Sequence, residues 1–190
     1  MRGTDGVNTH ARPGEIMNNI KQGRTAAIRL RSRQEEALNT ALFKNIIETW
    51  GDEIDFGEAF DEDDENMLVE MRTQGTLREE NGRIILSYDE TELTGMEGSV
   101  TQVSFAKDNP GIVTMLRSGA VSTAMVFEEG VRHICVYNTP IMPFEICIYA
   151  RSVQNALTLD GGSIGLDYLV EIHGADAERT IFSLDVTITD

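Results

Sequence analysis

The stretch that decides the fold is Gly111-Ile-Val-Thr-Met-Leu-Arg-Ser-Gly-Ala-Val-Ser-Thr-Ala-Met-Val-Phe127. Two runs rich in β-branched residues flank Ser118-Gly119, so the spacing predicts a hairpin with a tight, glycine-assisted turn. Val113, Met115 and Arg117 share one strand face, opposite Thr114 and Leu116. One cation, Arg117, thus stands beside the turn among apolar neighbours.

The same pattern recurs on both sides of this hairpin. Downstream, Arg132 to Asn138, Phe144 to Arg151, Ser163 to His173 and Thr180 to Thr189 read as strands separated by turn residues. The last is the clearest, with Phe182, Leu184, Val186 and Ile188 alternating against Ser183, Asp185 and Thr187. Upstream, Met67 to Leu77 and Arg83 to Asp89 flank Asn81-Gly82, a pair that tolerates the positive φ of a hairpin turn. Ser99 to Lys107 joins the hairpin through Asp108-Asn109-Pro110, and residues 24 to 31 alternate Ile28 and Leu30 against Arg29 and Arg31. Roughly ten strands in close succession without crossover helices predict a mainly β, antiparallel up-and-down meander closing into a barrel.

One segment changes period. Ser32-Arg33-Gln34-Glu35 has the form of a capping box. Leu38, Leu42, Phe43, Ile46, Ile47 and Trp50 then fall on one helical face before Gly51. The prediction is a helix over 33–50 and an acidic loop to residue 65, together an insertion at 33–65 after the first strand. Residues 1–23 have little apolar periodicity and read as a flexible N-terminal extension to a single domain over 24–190.

The 190 residues are 41% hydrophobic and 25% charged, ordinary for a soluble globular chain. The formal net charge is −16, with ten acidic and no basic residues between positions 48 and 65. A surface so acidic repels phosphate backbones, which argues against nucleic-acid binding. No apolar run approaches the roughly 18 residues of a membrane span. The N-terminus lacks the apolar core of a secretion signal, which predicts a cytoplasmic protein. The two cysteines, Cys135 and Cys147, then read as free thiols in a reducing compartment.

Met115-Leu116-Arg117-Ser118-Gly119-Ala120 resembles the YwiB-like family of small bacterial proteins. So do Leu86-Ser87-Tyr88-Asp89-Glu90, Tyr137-Asn138-Thr139-Pro140 and Gly165-Leu166-Asp167-Tyr168-Leu169-Val170. The resemblance covers about residues 66–190 and implies a calycin-like barrel of the lipocalin type. It carries no activity with it, because that family is itself a domain of unknown function.

Arg117 is the first candidate for a site. A guanidinium inside a barrel needs a carboxylate or several acceptors, as a ligand anchor or an internal ion pair would supply; an outward-facing arginine needs neither. Tyr88, Tyr137 and Arg151 are candidate companions, offering hydroxyl and guanidinium donors. If the hairpin from Val131 to Arg151 is symmetric about Ile141, Cys135 stands opposite Cys147 and His133 opposite Tyr149. Ile134 and Val136 would then face Ile148 and Ile146 as a core face. His133, Cys135 and Cys147 are zinc-ligand types but lack a fourth member, so no metal is expected. Asp61-Glu62-Asp63-Asp64-Glu65 lacks the glycine and distal glutamate of an EF-hand loop. No nucleophile–base signature is present, so neither catalysis nor a cofactor is expected.

Two functions fit. The first is a non-enzymatic barrel that binds a small apolar or amphipathic ligand. The alternative is a structural or protein–protein interaction module with a filled barrel, contacting its partner through the 33–65 insertion. An uncovered strand edge or the Trp50 face would also serve a homodimer.

Overall fold

The computed structural model describes residues 23–36, 66–94, 96–138, 143–172 and 175–189. Ten strands run in chain order: β1 Arg24–Glu36, β2 Asn66–Glu80, β3 Arg83–Asp89, β4 Val100–Ala106 and β5 Asn109–Ser118, then β6 Ser122–Glu128, β7 Arg132–Asn138, β8 Pro143–Asn155, β9 Gly162–Ile172 and β10 Ala175–Ile188. Each pairs antiparallel with its sequence neighbour, and β1 pairs with β10, so the sheet closes. The predicted meander and closure are both present.

The helix predicted over 33–50 does not begin where expected, because residues 33–36 are strand. Ser32-Arg33-Gln34-Glu35 continues β1, with Gln34 opposite Thr180 on one side and Met67 on the other. A capping box has no hold on a backbone already paired on both edges. Residues 37–65, with the rest of that helix and the acidic loop, lie outside the described residues, as does the extension over 1–22.

Strict alternation builds the core. Val113, Leu77, Phe127, Ile148, Ile164 and Leu184 point inward and are almost completely buried. Each such side chain stabilises the fold by roughly 1.5–3 kcal/mol relative to exposure. Together they fill the lower lumen, the end where β1 and β9 begin. The outer wall is charged, as in the Arg29–Glu70 pair, with two bonds of 3.0 Å, and the Arg31–Asp185 pair at 3.2 Å.

Glycine matters where strands crowd. Gly75 stands opposite Tyr88, and a Cβ there would meet the Ser87 carbonyl at 2.5 Å. Gly119, at φ 137°, packs against the backbone of Gly98 and Ser99. The connection between β5 and β6 spans residues 119–121, one residue longer than the two-residue turn its sequence implied.

The β7–β8 hairpin corrects the sequence reading by one residue. Cys135 pairs with Ile146, Ile134 with Cys147, and Val136 with Glu145. A slip of one residue exchanges the faces of a strand. His133, Cys135 and Tyr137 therefore face inward, while Ile134 and Val136, expected in the core, are exposed at 68% and 49%. Cys135 and Cys147 lie on opposite faces, so neither a disulfide nor the His133–Cys135–Cys147 set assembles. Strands β6 and β7 pair only at Ser122–Asn138 and Thr123–Tyr137. Below that point His133 bridges them through a 3.1 Å contact to Glu128.

Candidate functional site at the upper end of the barrel

Arg117 points inward. It is the third residue of the inward row Val113, Met115, Arg117, and it reaches the upper end of the lumen as β5 finishes. The registers place it in one belt across the barrel wall. Tyr88 pairs with Thr101, Thr101 with Arg117, Arg117 with Thr123, and Thr123 with Tyr137. Three of the four predicted site residues, Arg117, Tyr88 and Tyr137, thus come from sequence positions far apart onto one ring of side chains.

Arg151 is not among them. Ile146, Ile148 and Ala150 point inward on β8, so Arg151 points outward, beside a register shift between Ala150 and Ser152. It is exposed and approaches Asp167 only to 4.0 Å. Its assignment to the site is corrected by strand parity.

The partner of Arg117 is Glu90. The inward parity of Ile84, Leu86 and Tyr88 carries past the end of β3 to this residue. Its backbone N–H donates to the Ser99 carbonyl at 2.9 Å, which holds it beside β4. Arg117 Nε donates to Glu90 Oε1 and to Thr101 Oγ1, both at 3.2 Å, and Thr101 itself donates to Glu90 Oε1. Nη2 points toward Met115 Sδ at 3.6 Å. The Glu90 side chain is 1% exposed and that of Arg117 13%. Two polar atoms here have no hydrogen-bond partner among the described residues: Tyr88 Oη and Glu90 Oε2.

Tyr168 and Thr180 complete the buried cluster from β9 and β10, which pair at these two residues. Glu178 accepts from Thr180 Oγ1 at 2.7 Å. The Tyr168 ring meets Phe127 edge-on at 4.9 Å, on the boundary between the polar upper end and the apolar floor. Burial pushes the Tyr168 phenol up to about 12, only partly offset by Thr180 and Arg117. Burial raises Tyr88 further, with the Glu90 charge adding to it. Burial alone would lower Arg117, but Glu90 and the phenols of Tyr137, Tyr88 and Tyr168 outweigh it and hold the guanidinium above its ordinary value. Burial raises Glu178 above the ordinary carboxylate range.

Two grooves open on the surface. One, of about 390 Å³, lies on the outer wall against Arg31, Gln154 and Asp185. The other, of about 380 Å³, lies at the upper rim between β2 and the segment after β3, and reaches Met71 and Glu90. Among the described residues no group of three or more His, Cys, Asp and Glu side chains could hold a metal ion.

Residues 54–184 match the family described as a domain of unknown function, DUF1934. The chain belongs to that family. The uncharacterized β-barrel protein YwiB of Bacillus subtilis (strain 168) is 28% identical to it over 127 residues, which are 66% of this chain and 84% of YwiB. The crystal structure of the ywiB protein from Bacillus subtilis superposes with a TM-score of 0.65 at 19% identity, covering 90% of this chain and 95% of that one. The likeness shows that this DUF1934 chain shares the YwiB fold.

The sequence pointed to Arg117, Tyr88 and Tyr137 but missed Glu90, Thr101, Tyr168 and Thr180. Glu90 was within reach, since it is two residues beyond Tyr88 in a run whose alternate positions face inward. Thr101 and Thr180 read as ordinary strand threonines, and only strand register shows where they point.

Proposed function

We propose that this DUF1934 protein is a cytoplasmic, calycin-like binding module that holds a small amphipathic ligand at the upper end of its barrel and catalyses no reaction on it. One observation carries this reading: Arg117, Glu90, Thr101 and three tyrosines converge in a buried polar cluster, reached from the rim groove at Glu90, in which Tyr88 Oη and Glu90 Oε2 have no partner among the described residues. Buried polar groups are nearly always satisfied, so a pair of orphans on one wall favours a guest. The packed lower lumen narrows the ligand, because a long chain lying along the barrel axis would collide with Phe127 and Ile148. The charged outer wall and apolar interior favour a barrel surrounded by water, since a lipid-spanning barrel carries its apolar residues outside.

Native mass spectrometry of gently purified protein should reveal a small adduct that Arg117→Met removes. A persistently bare mass, with no small molecule shifting the thermal midpoint, would sink the idea.

A second reading, a module for binding a protein partner or a second copy, draws on the filled lower lumen and on exposed Leu116, Ile134 and Val136 of the outer wall. Replacing residues 37–65 by a short linker tests the part assigned to the insertion. A folded barrel that loses its partner supports that part, and an intact interaction removes it.

A further inference from the structure

We propose that the group recognised beside Arg117 is uncharged and both donates and accepts hydrogen bonds, a primary carboxamide or an alcohol, and that it enters through the groove at the upper rim. This rests on the binding reading above and adds the chemical class of the ligand.

Charge decides first. The cluster behind the groove already contains a balanced pair, Arg117 against Glu90, at 3.2 Å and largely removed from water. An anionic guest would bring a second negative charge against Glu90, and like charges sharing a buried site disfavour each other strongly. Glu178, on the wall with Thr180 and Tyr168, adds to that repulsion. A cationic guest would meet Arg117. A neutral one meets neither.

The orphaned atoms decide next. An ionised Glu90 Oε2 is an acceptor only, while a protonated Tyr88 Oη has a proton to give. Burial keeps the Tyr88 phenol protonated far beyond neutral pH. A guest satisfying both atoms donates to Oε2 and accepts from Oη. A carboxamide does this through its NH₂ and C=O, and an alcohol through one hydroxyl. A carboxylate or phosphate dianion has no proton for Oε2.

The route agrees with the cluster. The rim groove ends on Glu90 and Met71, and Arg72, Glu92 and Glu97 line it further out, a net negative set. An acidic entrance repels anions, and Met71 and Leu93 give an apolar tail a surface to lie on.

The test compares three probes on one isobutyl skeleton, isobutyramide, isobutanol and isobutyrate, by NMR titration of the 190-residue chain near neutral pH. Saturable shifts at Tyr88, Glu90 and Arg117 are expected for the first two, with isobutyrate weaker by about tenfold, the value of one net hydrogen bond. Tyr88→Phe should weaken isobutyramide by a similar factor and lower the thermal midpoint less than Arg117→Met, because it leaves no buried charge unpaired. Glu90→Gln, measured well below the thermal midpoint that an unpaired Arg117 lowers, should weaken it too. Isobutyrate binding tightest would overturn this inference and leave the binding reading standing. Unchanged isobutyramide affinity in both variants would also overturn it. No saturable shift with any probe, with a structural water alone bridging Tyr88 and Glu90, would overturn both.

Discussion

Arg117 Nε stands 3.2 Å from Glu90 Oε1, and both side chains are withdrawn from water at the upper end of the barrel. Removing one member of such a pair leaves the other charge buried and uncompensated, at a cost of about 3–5 kcal/mol. Arg117→Met is expected to lose about that much in urea denaturation. The double variant Arg117→Met/Glu90→Met should recover most of it, because no lone charge remains. Two single losses that simply add would show that the charges act independently.

Glu178 gives a pH signature of opposite sense to a surface ion pair. Burial raises its native pKa above the unfolded value, and Thr180 and Gln34 offset only part of that. Its contribution is therefore fully present below the ordinary carboxylate pKa, where both states are protonated, and is lost as pH rises through the raised native value. Glu178→Gln keeps an acceptor for Thr180 and removes the buried charge. The variant should melt above the parent near neutral pH and coincide with it below about pH 3. A stabilisation that persists in acid would mean that packing, not charge, is responsible.

The legibility of this chain followed the strength of its alternation. On β10, Phe182, Leu184 and Val186 are apolar and their neighbours polar, so both the strand and its inward face were readable. On β7, Arg132-His-Ile-Cys-Val-Tyr-Asn138 has hydrophobic residues at both parities, and turn symmetry was the only guide to register. One residue of error exchanged Ile134 and Val136 with His133 and Cys135. Arg151 was misplaced against the sequence's own pattern, since Ile146 and Ile148 on the core face already turn residue 151 to the outer wall by parity. The belt from Tyr88 to Tyr137 depends on four strand registers at once, which no single segment encodes. Ser32-Arg33-Gln34-Glu35 shows the opposite failure: a strong local helix signal overridden by strand partners on both sides.

That β7 register has a direct thermodynamic consequence. Ile134 is 68% exposed and pairs with outward Cys147, while Ile148 on the next strand is fully buried. Ile134→Ser is expected to change stability by no more than about 0.5 kcal/mol, as surface substitutions do. Ile148→Ala should cost about 2–5 kcal/mol. Guanidinium denaturation of the two variants separates the registers, since symmetry about Ile141 would bury both residues and make the losses comparable.

The buried tyrosines of the upper end also predict how the protein meets alkali. Two of the four tyrosines, Tyr88 and Tyr168, are held protonated by burial, Tyr168 up to about 12. The unfolded chain releases these protons near pH 10, before the folded one does. Their contribution to stability is thus complete below about pH 10 and falls as pH climbs through the native values. Tyrosinate absorbance should leave these two phenols un-ionised at pH ~10.5 in the folded protein and recover them on denaturation. Tyr168→Phe should remove one phenol from the late-titrating group and soften the alkaline loss of stability. If all four tyrosines ionise together while the barrel stays folded, water reaches the cluster freely, and the desolvation that keeps Tyr88 a donor is absent.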